Sequence, residues 1–272
     1  MHPETRKNEE KKLFSVVIPV YNGEKYIRDT LRSIFNQTYQ KYEIIVVDGL
    51  STDQTLSIVN EYSDRIAHII SEKDAGMYDA VNKGFRLASG DYFCYINSDD
   101  RLTPIALEKA VDKFSQNSFD LVFGDVNYIN ESGNLIYSLK SLNLPKVGVK
   151  YIRRLPFAQQ SAFWTKDIFH RVGGFDANLK YVADSKFLFD IYLDPQTKTA
   201  HIPFVLGEFR MHSDSFSIGS SEKMIKESKL MRQRYPELGN STLLKFFFEF
   251  FLKVINAKAI YKKKNYEGVR LQ

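Results

Sequence analysis

Acidic residues recur at the ends of short apolar runs, and their types suit the handling of a nucleoside diphosphate. Asp48 closes the run YEIIVVD, Asp74 lies in SEKDAG after the next run, and Asp99 and Asp100 follow DYFCYIN and Ser98. A carboxylate at Asp48 can accept the imide N–H of a pyrimidine. Tyr21, which follows Pro19 and Val20 after the first run, can lie against the base. The adjacent acids Asp99 and Asp100 suit a hard divalent cation, which takes oxygen ligands and bridges phosphates. Neither GxGxxG nor GxxxxGK[ST] follows the first run, so a dinucleotide fingerprint and a P-loop are not expected.

These groups must be held by strands and helices that the hydrophobic pattern locates. FSVVIPV (14–20) and YEIIVVD (42–48) read as buried strands, 66–70 as a weaker one and 91–97 as a fourth. Between them, Ile27, Leu31 and Ile34 recur at helical spacing within 24–36. Residues 53–62, with Ser51 or Thr52 as N-cap, and 75–88 also read as helices. Such alternation predicts an α/β fold whose mainly parallel, Rossmann-like sheet is flanked by helices. Ligands then gather outside the carboxyl ends of the strands. After Asp120 the pattern becomes a hairpin over 121–139, an extended stretch at 157–165, helices at 166–172 and 183–193, and a strand at 201–209.

Composition narrows the class of molecule. The 272 residues are 43% hydrophobic and 14% aromatic, values of a globular chain rather than a disordered one. One cysteine, Cys94, excludes a disulfide framework and a Cys-based zinc site, and is read as core. No apolar run reaches the ~20 residues of a spanning helix, and MHPETRKNEEKK lacks the apolar region of a secretory signal, so a cytoplasmic protein is expected. From Ser241 onward seven basic residues face two acidic ones, a surplus equal to the net +5 of the whole chain. The body is balanced, which disfavours nucleic acid as a partner.

Taken together, FSVVIPVYNGEKYI, EIIVVDGLSTDQT, SEKDAGMYDAVNKG, ASGDYFCYINSDD, QQSAF, RVGGFD, ADSKFLFD and FRMHSDSFS resemble the family 2 glycosyltransferases of GT-A fold, over about residues 13–217. The likeness is strongest to members that assemble bacterial surface polysaccharides. It implies an inverting transfer from a nucleoside-diphosphate sugar, UDP favoured, to a hydroxyl of a saccharide or lipid-linked acceptor, with Mn²⁺ or Mg²⁺ as cofactor. It further implies a donor pocket from Pro19, Tyr21, Asp48, Asp74, Asn97 and Ser98, and Asp99 as metal ligand with His212 near the diphosphate. Asp184 is implied as the base, and Gln160 as an acceptor-side residue. Two departures stand out: Asn97 replaces the first acid of the metal motif, and Ala183 replaces a Glu before Asp184. The absence of QxxRW argues against a processive polymer synthase.

The resemblance divides the chain into a mobile tail at 1–12, a catalytic domain at 13–218 and a C-terminal helical region at 219–272. The catalytic domain has a nucleotide-binding half at 13–125 and an acceptor half at 126–218. Simpler roles compete. Asp53 at a helix start is as well read as a cap, Gln160 as a satisfied buried amide, and Gly173 and Gly174 as turn residues. LLKFFFEFFLKVI followed by AKAIYKKKN offers a membrane-interface contact through 241–265, peripheral on the inner face of the membrane, or a docking helix or homodimer contact. Two rival functions remain. A sugar-nucleotide nucleotidyltransferase calls for a Gly-rich basic loop that PVYNGEKYI lacks. A non-catalytic nucleotide-sugar-binding module draws on Asn97 and Ala183.

Overall fold

A computed structural model describes residues 12–213, 215, 221–235 and 241–266. The tail expected at 1–12 lies outside these residues except for Lys12, whose ammonium pairs with Asp91 at 3.0 Å. The end of FRMHSDSFS also lies partly outside them.

The strands are β1 (Phe14–Val20), β2 (Tyr42–Asp48), β3 (His68–Ser71), β4 (Tyr92–Tyr95), β5 (Arg101–Leu102), β6 (Leu121–Ile129), β7 (Leu135–Leu139), β8 (Ala162–Thr165) and β9 (Thr199–Arg210). They form one sheet in the order β3-β2-β1-β4-β8-β6-β9-β5, with β7 beside β6. All seven residues of β1 are buried because it lies between β2 and β4 with both faces covered. On one face Val17, Ile45 and Val47 pack against α3 (Met77–Leu87), α6 (Lys166–Val172) and α7 (Ala183–Leu193) through Val81, Phe85, Phe169 and Phe187. On the other, Val16, Ile18 and Ile44 meet α1 (Ile27–Phe35) and α4 (Ala106–Gln116) through Leu31, Ile34, Leu107 and Phe114. Each such aliphatic side chain stabilises the fold by roughly 1.5–3 kcal/mol when fully removed from water.

The α/β class and the two helical layers follow the sequence pattern, and so does much of the parallel pairing. It joins β1 through β4 and also β6 to β9. The pairs β4–β8, β8–β6, β6–β7 and β9–β5 are antiparallel, so the sheet is mixed, with its longest pairings, β6–β9 and β1–β2, parallel. A strand joined to its neighbour by a short turn, as β6 is to β7, must pair antiparallel, whereas parallel neighbours need a crossover. The division drawn after Asp125 falls inside β6, so both halves share the sheet.

Residues 53–62 supply only a short α2 (Thr55–Asn60), and neither Ser51 nor Thr52 caps it. Those residues stitch the loop after β2 to the loop after β1. Ser51 Oγ accepts the Asn22 N–H, and the Thr52 N–H donates to Asn22 Oδ1, both at 2.8 Å. Asp53 does the capping, accepting the Thr55 N–H at 2.9 Å. The remaining helices are α5 (Lys146–Ile152), α8 (Ser221–Gln233), α9 (Thr242–Ile255) and α10 (Ala257–Lys264).

Candidate active site

A cleft of about 940 Å³ opens outside the carboxyl ends of β1 to β4, as the chain topology requires. Pro19, Tyr21, Asp74, Asn97, Ser98 and Asp99 line it from the first half of the chain, and Gln160, Asp184 and His212 from the second. Of the expected site residues, only Asp48 and Asp100 do not line this cavity.

Asp48 is fully buried and does not line the cleft. Its carboxylate accepts the Ser71 hydroxyl at 2.6 Å and the Ser51 N–H at 3.2 Å from each oxygen. In this structure it holds the loop after β2 to the end of β3. The cause is geometric: the last residue of a central strand points one way only, and here that way is into the protein.

The loop after β4 is tied down before it presents Asp99. Thr30 Oγ on α1 donates to the carbonyls of Ser98 and Asp100 at 2.9 and 2.8 Å. The Asp100 carboxylate is buried and accepts Asn97 Nδ2 and Gln160 Nε2 at 3.0 Å and the Arg210 N–H at 2.9 Å. Burial first, and then the neighbouring Asp99 charge, push its carboxyl well above the ordinary carboxylate value. Asp100 is thus a structural hub and not part of the lining. Gln160 keeps both of its readings, since it lines the cleft while its amide is bonded inward.

Arg210 was not evident from sequence, because nothing local marks a cation that folding will bury to 2% exposure. It donates to the Asp99 carbonyl at 2.8 Å and the Glu131 carbonyl at 2.9 Å, pairs with Asp29, and lies 4.8 Å from the centre of the Tyr26 ring. Two residues on, His212 Nε2 is 2.9 Å from Asp99 Oδ2.

Asp99 and His212 bring one carboxylate and one imidazole together, and among the described residues no cluster of three or more His, Cys, Asp or Glu that could hold a cation forms. Two buried polar atoms of residues in the same lining, Asn97 Oδ1 and His212 Nδ1, have no hydrogen-bond partner among the described residues. Buried polar groups are otherwise nearly always bonded, so these two call for a bound group. The donor set suits a hard or borderline cation only when phosphate oxygens or water complete it.

Asp184 stands in the first turn of α7 and lines the cleft from the second half of the chain. Desolvation raises its carboxyl above the ordinary aspartate value, against the lowering effect of the Ser185 N–H bonded at 2.6 Å. Its placement depends on a second residue that sequence reading missed. Glu227 on α8 accepts the backbone N–H groups of Lys180, Tyr181 and Val182 at 2.9, 2.6 and 3.0 Å. Ala183, in place of a Glu, is fully buried in the core below.

A mixed sheet with a cleft at its strand ends is the arrangement of the GT-A fold, and solved glycosyltransferases of that fold superpose on the chain. Staphylococcus aureus TarS gives a TM-score of 0.63 at 20% identity, covering 93% of this chain and 44% of TarS. Mannosyltransferase PcManGT of Pyrobaculum calidifontis, solved with GDP-Man and Mn²⁺, gives 0.63 at 19%, covering 93% of this chain and 73% of that one. Residues 15–185 match the sequence profile of glycosyl transferase family 2, and the chain belongs to that family. An uncharacterized glycosyltransferase of Rickettsia conorii is 30% identical over 217 residues, 75% of this chain, which spans only 35% of that relative's length. A glycosyltransferase of PGL/p-HBAD biosynthesis in Mycobacterium bovis is 29% identical over 206 residues, covering 72% of this chain and 76% of its own.

Proposed function

We propose that the protein is an inverting, metal-dependent glycosyltransferase. It moves a sugar from a nucleoside-diphosphate sugar, UDP favoured, to a hydroxyl of a saccharide or lipid-linked acceptor in surface-polysaccharide synthesis. The observation that carries this reading is that Asp99 with His212 and, from the other half of the chain, Asp184 line one cleft. TarS bound to UDP-GlcNAc and PcManGT bound to GDP-Man and Mn²⁺ support a nucleotide-sugar donor and a divalent cation.

Asp184 takes the proton of the incoming hydroxyl as that oxygen bonds to the anomeric carbon, an acid–base contribution of about 10²–10⁴-fold. The bond to the diphosphate breaks with its electron pair staying on the diphosphate. Tyr21, 64% exposed beside Gly49, offers a face for the base. Asp99 and His212 would hold the cation, which when bound neutralises charge on the leaving diphosphate. Asn97 is left to hydrogen-bond a ribose hydroxyl through its unpaired carbonyl oxygen.

The reading extends to where the enzyme works. No helix among the described residues is long and apolar enough to cross a membrane. On α9, Leu243, Phe246, Phe247, Phe250, Phe251 and Val254 form an exposed stripe, while Leu252 is buried and Phe248 packs at Gly148 of α5. Exposed Lys253 lies beside the stripe, and α10 carries Lys258, Lys262, Lys263 and Lys264. An apolar face followed along the chain by a run of lysines matches the interface of an anionic lipid surface.

The test is metal-dependent release of UDP from UDP-sugars with an acceptor, using Asp184→Asn as control. Pyrophosphate release in its place would indicate a nucleotidyltransferase. Binding of donors with no turnover across acceptors would indicate a binding module.

A further inference from the structure

We infer that Asp74, and not Asp48, reads the hydrogen-bonding edge of the nucleobase, an inference that rests on the nucleotide-sugar reading above. The acid at the end of β2 is spent: both oxygens of Asp48 are engaged by Ser71 and Ser51, and the group is sealed from the cleft. The next residue, Gly49, lines the cleft and has no side chain to fill it. A Cβ placed there would lie 3.1 Å from Asp74 Oδ2 and 3.6 Å from Tyr21 Cδ2. Gly49 is therefore the floor of a slot, with an exposed aromatic ring on one side and a carboxylate oxygen on the other.

That carboxylate is held in place from behind. Asp74 Oδ1 accepts Lys83 Nζ at 2.6 Å, and Lys83 also donates to the Lys73 carbonyl at 2.8 Å and pairs with Glu72 at 2.9 Å. Among the described residues no donor is bonded to Oδ2, so one acceptor of a largely buried carboxylate is left for a ligand. Burial raises the Asp74 carboxyl, while Lys83 and its three acidic neighbours keep the ammonium charged.

An ionised carboxylate oxygen can only accept, so a base lying against Tyr21 must offer a ring N–H. Uracil offers its imide N–H and guanine its N1–H. Cytosine offers a lone pair at the same ring position and would face the carboxylate with repulsion. Sites built around a buried polar group reject analogues that leave it unpaired. Uracil is the base to which we commit, because the functional reading on which this inference rests favours UDP.

The experiment measures Kd for UDP, CDP and GDP with Mn²⁺ by calorimetry on the full chain. The variants are Asp74→Asn, Asp48→Asn and Gly49→Ala, each checked for a wild-type melting transition. The wild type is expected to bind UDP about ten- to hundredfold more tightly than CDP, the worth of a hydrogen bond to a charged group. Asp74→Asn should bring the two affinities together, because its amide can donate to cytosine. Gly49→Ala should weaken UDP while leaving Asp74 intact, and Asp48→Asn, if folded, should keep the preference. An unchanged UDP-to-CDP ratio in Asp74→Asn overturns the inference alone. A preference for GDP in the wild type that Asp74→Asn abolishes keeps Asp74 as the reader and replaces uracil by guanine. No binding of any nucleoside diphosphate overturns the functional reading as well.

Discussion

Asp184 has the marks of a group kept for chemistry rather than stability. Its carboxyl is raised by desolvation, so the folded state binds a proton more readily than the unfolded chain does. The stability this confers is present at low pH and is lost as pH rises through the folded value, which leaves the charged form a burden at neutrality. Asp184→Asn is accordingly expected to lower kcat about 10²–10⁴-fold while Tm stays level or rises. The acid limb of the wild-type kcat profile should lie above the ~3.9 of an unperturbed aspartate. A variant that loses Tm in step with activity would show a structural role instead.

Two elements set how accurately that group is presented. Helix α8 acts through Glu227, whose carboxylate gathers three consecutive N–H groups just ahead of α7. Glu227→Gln should reduce kcat by up to about 10²-fold, the scale of a ~1 Å misplacement, with nucleotide Kd unchanged. Loss of nucleotide binding would place its effect in the donor half. Helix α3 is held against β1 at Gly84, where a Cβ would lie 2.5 Å from Val17 Cγ1. Overpacking costs about 1–3 kcal/mol, and the better helix propensity of Ala returns ~1 kcal/mol. Gly84→Ala should therefore lose up to ~2 kcal/mol in denaturant unfolding. A gain in stability would mean that α3 lifts away freely.

Across the whole molecule, one sheet joins the first and second halves of the catalytic region while α9 and α10 stand outside both helical layers. Asn256, between those helices, is pinned to the backbone of Lys140 at 2.7 and 3.0 Å, and Ala259 packs beside Tyr137. One face is thus fixed to the protein while the phenylalanine stripe faces outward. Phe247→Glu with Phe251→Glu should abolish sedimentation with vesicles containing phosphatidylserine, leave activity on a soluble acceptor intact, and leave the fold unchanged. Wild-type binding that is equal on purely zwitterionic vesicles would remove the lysines from the explanation. A wild-type chain that dimerises but ignores vesicles would assign the stripe to a second copy.

The local pattern of residues determined the four strands of the first half, the helices between them, the hairpin over 121–139 and the motifs whose acids stand at strand ends. Those features depend on side-chain period and turn chemistry within a few residues. Asp74 and Asp99 were legible because they follow apolar runs, and Asp184 and His212 because the segments that carry them resemble motifs of the family. Only the folded chain decided that Asp48 is consumed by Ser71, that Arg210 is buried beneath Asp99, and that Glu227 braces the loop before Asp184. It also decided that β8 pairs antiparallel with β4 and β6 while β9 runs parallel to β6. Which way a carboxylate points, and which distant amide it meets, depends on contacts between residues tens to more than a hundred positions apart, and no local period in the sequence encodes them.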